Sequence, residues 1–192
     1  MTQNQPPQAS PQASLKQYCR QEAETAALAQ SLAAGIGQWL GEAPTGHLNI
    51  ALEGDLGAGK TTFARYLIQG LGYEGKVKSP TYTLCEPYEL NSHQHAFIAH
   101  HFDLYRMRDP LEWQEAGFAE YFDVPGFCLI EWPEKAEGTL PAFDMQIQLK
   151  AGVQENERAI ALNALSEQGK LVLGVGPRVG TKENCGGRTR RI

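Results

Sequence analysis

The sequence predicts an α/β fold of three layers around a central, mostly parallel sheet, with an antiparallel strand pair at its C-terminal end. Three observations predict it. An alternating segment, His47–Glu53, runs directly into Gly54-Asp55-Leu56-Gly57-Ala58-Gly59-Lys60-Thr61, and helix-forming residues follow at once. Two further apolar segments, ending at Asp103 and at Glu131, read as buried strands that stop on an acid. Segments 144–150 and 157–164 alternate apolar and polar residues, as a half-exposed antiparallel pair does.

The elements follow in order. Residues 1–14, rich in Gln, Pro, Ser and Ala, read as a disordered leader, because such residues bury too little surface to offset chain entropy. Residues 19–40 read as a helix: Leu28, Leu32, Ile36 and Leu40 recur every four positions, with Ala between. After the glycine-rich turn, 62–71 is helical and Gly70 and Gly72 stop it. Pro80 and Pro87 forbid helix over 77–90, which reads as extended, and 91–95 as a turn. A strand is expected over 96–105, a short helix over 110–122 with Pro at its start, and a strand over 127–130. Beyond Gly169 there is little periodicity. The organisation expected is a leader at 1–14, one domain at 15–166 and a flexible basic tail at 167–192.

Bulk properties narrow the function. The 192 residues are 42% hydrophobic, enough for a core, and the net charge of −5 argues against a surface given over wholly to nucleic acid. The tail from Lys170 carries six basic residues against Glu183 alone, a solvated terminus or a contact for RNA. Cys19, Cys85, Cys128 and Cys185 lie far apart, as reduced thiols of a cytoplasmic protein do. No apolar run approaches the ~20 residues of a membrane span.

The glycine-rich segment matches G-x-x-x-x-G-K-[ST] in full, between a strand and a helix, which makes it a phosphate-binding (P-) loop of the NTPase type. Its backbone N–H groups can point at phosphate oxygens, and the helix N-terminus adds its dipole. Lys60 can neutralise β- and γ-phosphate charge, and the Thr61 hydroxyl can ligate Mg²⁺. ATP and Mg²⁺ are therefore the expected cofactors. Such a loop needs a second acid at a strand end. Asp103 and Glu131 both qualify: one can hold the metal while the other orients the attacking water. Glu53 reads as structural or exposed. Asp55 either touches metal or water or caps the turn. In Ser79-Pro80-Thr81-Tyr82-Thr83, Thr81 is the candidate γ-phosphate sensor. His93, His95, His100 and His101 cluster in sequence, but adjacent His100 and His101 would face opposite sides of a strand. Trp132 and Tyr105 read as core or rim aromatics.

With these residues in place, the sequence resembles the bacterial TsaE (YjeE) family over roughly 22–164. Four blocks carry the resemblance: 52–63 around the loop, Val77-Lys78-Ser79-Pro80-Thr81-Tyr82-Thr83-Leu84, His101-Phe102-Asp103-Leu104-Tyr105-Arg106, and Glu131-Trp132-Pro133. It implies an ATPase required for threonylcarbamoyladenosine formation beside the tRNA anticodon, working with TsaD and TsaB, with tRNA reached indirectly or through the basic tail. It also implies that Gly57, Ala58, Gly59, Lys60, Thr61 and Thr62 lie on the phosphates, Thr61 and Glu131 on Mg²⁺, Asp103 as a catalytic or metal-proximal acid, and Thr25 near the nucleotide. Two other classes are open to a P-loop. A small-molecule kinase usually closes an Arg-bearing lid, whereas Arg65, Arg106 and Arg108 are scattered. A GTP switch usually carries Asn-Lys-x-Asp, which is absent.

Overall fold

The computed structural model describes residues 13–92 and 95–175. Seven strands form one sheet in the order β1-β7-β6-β2-β5-β4-β3. These are β1 (Ala13–Cys19), β2 (His47–Glu53), β3 (Cys85–Ser92), β4 (His95–Asp103), β5 (Gly126–Glu131), β6 (Met145–Ala151) and β7 (Arg158–Ala164). The centre is parallel, with β2 between β5 and β6 and β4 beside β5. The outer pairs β1–β7, β6–β7 and β3–β4 are antiparallel. The expected architecture and the expected C-terminal pair are both present.

Strand alternation sends successive side chains to opposite faces. Leu48, Ile50, Leu52, Phe127 and Leu129 join one apolar cluster with the helices α1 (Glu22–Glu42), α2 (Lys60–Gly70) and α4 (Glu167–Val175). Cys128, Ile130 and Phe102 join the other, with Trp113 of the short helix α3 (Glu112–Glu115) and Phe122 of a 3₁₀ turn. Burial on both faces explains why β5 reads as a continuous apolar run.

Several expectations differ from the structure. Ala13 and Ser14, inside the expected leader, already belong to β1, and the helix expected from Cys19 begins at Glu22. Strand β1 is an edge strand held by a seven-residue ladder to β7, a partner that no local pattern reveals. Residues 167–175 of the expected tail form α4. Its start is capped by Ser166 Oγ, which accepts the Gly169 N–H at 3.1 Å. Val172 is fully buried against α1, where a Cβ on Gly35 would lie 2.4 Å from the Val172 carbonyl. The rest of that tail, and residues 1–12, lie outside the described residues. The helix expected over 110–122 breaks at Gly117, whose φ of 82° no helix accommodates. Of the extended stretch 77–90, only the part from Cys85 is strand, and Asn91 and Ser92 of the expected turn extend it. Among the described residues no helix is long and apolar enough to cross a membrane.

Candidate functional site

Strand β2 ends at Glu53 and α2 begins at Lys60, so the glycine-rich segment forms the whole connection. Gly57 and Gly59 take φ of 80° and 100°, the region where a Cβ is strained. Ala58 is buried beneath them, and Thr62 is half-buried one turn into α2. Lys60 is 5% exposed and folds back over the loop. Its ammonium donates to the Gly54 carbonyl at 2.6 Å and the Asp55 carbonyl at 3.0 Å, and lies 3.6 Å above the Trp132 ring. Among the described residues it forms no ion pair with a carboxylate. Burial lowers its pKa, while Glu131, Glu134, Asp103 and Asp55 oppose that shift from a distance. A buried cation met by carbonyl dipoles and a π face keeps a positive charge that these contacts do not neutralise.

The two strand-end acids are register partners, Asp103 opposite Glu131, on the face that α2 covers. Glu131 is 2% exposed. Its Oε2 accepts the Thr61 hydroxyl at 3.1 Å, and its Oε1 meets His101 Nε2 at 2.8 Å. A hydroxyl and a carboxylate beside the glycine-rich loop are the hard oxygen donors that suit Mg²⁺, which typically takes one or two carboxylates. Asp103 accepts from a different set. Ser79 Oγ donates to its Oδ2, Thr81 Oγ1 donates to the same oxygen at 3.1 Å, and the Tyr105 N–H donates to Oδ1 at 3.1 Å. The hydroxyls of Ser79 and Thr81 also meet each other at 2.6 Å.

These groups line one open cleft of about 450 Å³, bounded by the loop, Thr81, Asp103 and Glu131. A smaller cavity of about 60 Å³ adjoins it, between Thr25, Glu22, Gly59, Thr62, Asn156 and Arg158. Thr25, on α1, is buried there. The structure thus brings Lys60, Thr61, Thr62, Thr81, Asp103 and Glu131 to one cleft and Thr25 to its neighbour. Glu53 accepts Gln146 at 2.8 Å and Gln148 at 3.2 Å, away from the cleft, in the structural place expected of it. The histidines do not converge. His100 stacks on Tyr121 at 4.2 Å on the far face while His101 meets Glu131, His95 is exposed, and His93 is outside the described residues.

Several cleft residues escape sequence reasoning. Arg158 opens β7 and lies across the loop. Its guanidinium donates to the Glu155 and Glu157 carbonyls at 2.7 Å each and to the Gly57 carbonyl at 3.5 Å. About a hundred residues separate it from the loop, so only the sheet brings them together. Trp132 joins the cleft by leaving the sheet in a left-handed conformation, φ 59°, which turns its ring under Lys60. Its place directly after Glu131 is the one signal available in sequence. Ser79 was visible only as part of a Ser/Thr run.

The family "Threonylcarbamoyl adenosine biosynthesis protein TsaE" matches residues 19–160 of this chain. The chain is similar to the Haemophilus influenzae tRNA threonylcarbamoyladenosine biosynthesis protein TsaE, 44% identical over 124 residues, 65% of this chain and 75% of that protein. It is 40% identical to the Bacillus subtilis protein of the same name over 64% of this chain and 73% of that one. In fold it resembles the crystal structure of Bacillus subtilis YdiB with a TM-score of 0.65. The two are 31% identical, over 84% of this chain and 93% of that one.

Proposed function

The chain belongs to the TsaE family, and from that premise we propose that it is a Mg²⁺-dependent ATPase serving threonylcarbamoyladenosine modification of tRNA in the cytoplasm. Its hydrolysis acts within a complex with TsaD and TsaB rather than making the modification itself. The observation that carries the ATP reading is Lys60, buried at the loop with carbonyls and a π face but, among the described residues, no carboxylate partner. The β- and γ-phosphates supply the missing negative charge, and the N–H groups of 57–62 supply directional donors.

Thr61 and Glu131 would hold Mg²⁺, which would supply neutralisation of phosphate charge. Lys60 holds the terminal phosphate and stabilises the charge that builds as the bond to the leaving oxygen lengthens. Asp103 stands beside Glu131 and orients the attacking water, so that products are ADP and inorganic phosphate. Thr81, tied to Asp103, senses the γ-phosphate. Thr25 lines the small cavity beside the loop and borders the rest of the nucleotide.

Phosphate release from Mg·ATP, measured with the chain alone and with TsaD–TsaB added, tests this reading. Slow turnover alone and faster turnover with the pair is expected, together with lower threonylcarbamoyladenosine in bulk tRNA on depletion. Transfer of labelled γ-phosphate to a metabolite instead of water would replace it with a small-molecule kinase.

A further inference from the structure

His101 is completely buried on β4, two residues before Asp103, and Glu131 ends the neighbouring strand β5. Both side chains project to the face that α2 covers. The carboxylate is held from two sides: Oε1 by His101 Nε2 at 2.8 Å and Oε2 by the Thr61 hydroxyl at 3.1 Å. The His101 bond needs the proton on Nε2, because an ionised carboxylate can only accept. Among the described residues the other ring nitrogen, Nδ1, is buried without a partner, so the one polar contact of the ring there is with Glu131. A buried polar ring with half its hydrogen-bonding capacity unmet is costly to keep for packing alone.

We propose that His101 is a positioning residue that holds Oε1 of Glu131 and thereby presents Oε2, beside the Thr61 hydroxyl, to the divalent cation. The inference rests on the reading of Thr61 and Glu131 as the cation-holding pair. A carboxylate that rotates about its last bond can offer either oxygen or both. One that is tethered at Oε1 offers a single oxygen in a fixed direction, and such outer hydrogen bonds commonly contribute about 10–100-fold in metal affinity. The ring also ties the acid of β5 to the strand that carries Asp103, so the two acids keep a constant separation.

The test compares full-length His101→Gln, His101→Asn and His101→Leu chains, with Glu131→Ala as control. The Gln amide nitrogen reaches about where Nε2 lies, whereas that of Asn falls short. Two quantities are read: Mn²⁺ affinity of the chain–ADP complex, from the electron paramagnetic resonance of free Mn²⁺, and ADP affinity in EDTA. The Asn and Leu variants should lose about 10–100-fold in Mn²⁺ affinity and the Gln variant no more than about threefold, with metal-free ADP affinity within about twofold throughout. If the Leu chain fails to fold, the Gln–Asn difference carries the test. Wild-type Mn²⁺ affinity in the Asn variant, or equal losses in Gln and Asn, overturns the proposal while a weakened Glu131→Ala leaves the cation site standing. Unchanged Mn²⁺ affinity in Glu131→Ala overturns the cation site and the proposal together.

Discussion

His100 and His101 are consecutive in sequence and occupy opposite faces of the sheet, and the two faces do different work. On the α2 face, β4 and β5 end in His101, Asp103 and Glu131, all hydrogen-bonded among themselves or to loop hydroxyls. On the far face the alternate residues of the same strands, His100, Phe102, Cys128 and Ile130, meet aromatic rings and apolar side chains. The same backbone carries both sets, one residue out of phase. Chemistry and stability should therefore separate by parity along β4 and β5, and each prediction below tests that separation.

The largest expected effect belongs to the far face. The Phe122 ring packs against Phe102 at 5.5 Å and Trp113 at 5.0 Å. Phe122→Ala should cost about 3–5 kcal/mol of stability, read in urea unfolding, yet change ADP affinity of the folded chain less than about threefold. A large loss of ADP affinity at low urea would break the separation. Next comes the near face. Lys60→Ala removes the buried cation and should weaken ATP binding by about 10²–10³-fold in a calorimetric titration, with little loss of thermal stability. Deleting a buried cation without an ion-pair partner could even raise the melting temperature, which would sharpen the contrast. Thr81→Ala should be smaller. It removes one of three donors on Asp103, a bond worth about 0.5–1.5 kcal/mol, so a fall of roughly threefold to tenfold in turnover is expected. A loss as large as that of Lys60→Ala would make Thr81 far more than a sensor.

The last test is a pH dependence placed on the far face. Desolvation, aided by His47, lowers the His100 pKa to about 4. From pH 6.5 down to about 4 the unfolded chain takes up a proton at this position that the folded chain refuses. Stability from His100 is thus fully present above about pH 6.5, falls as the pH drops through that window, and levels off below about 4. Melting temperatures from pH 7.5 to 4.5 should fall less steeply in His100→Phe than in the wild type. Parallel profiles would show that His100 is not the group involved.

How much of this was legible depended on whether the cause was local. The glycine-rich loop is contiguous and its residues are adjacent in space because they are adjacent in sequence, so the motif, Lys60 and Thr61 could be read directly. Glu131 and Asp103 were legible as strand-end acids because each follows an apolar run, and the parity of His100 and His101 follows from strand geometry alone. Arg158 was not legible: its approach to Gly57 depends on β7 lying beside β6 and β1. The bond from His101 to Glu131 depends on β4–β5 register, which no single segment encodes. Strand β1 escaped for the same reason, since its alternation of Ser14, Lys16 and Tyr18 with Leu15 and Gln17 is too polar to stand out without β7. Helix α4 escaped because it is short, glycine-containing and stabilised mainly by a groove at Gly35.

The β1–β7 ladder has a consequence for handling the protein. Cys19, the last residue of β1, is the register partner of Arg158, the first of β7. The arginine that reaches the loop is therefore braced on one side by the first strand of the fold, far from the loop in the chain. Trimming the N-terminus up to Gln12 removes none of these paired residues, whereas a cut that enters β1 leaves β7 as a bare sheet edge and loosens the arginine's footing. An affinity tag intended to report on nucleotide binding belongs ahead of residue 13.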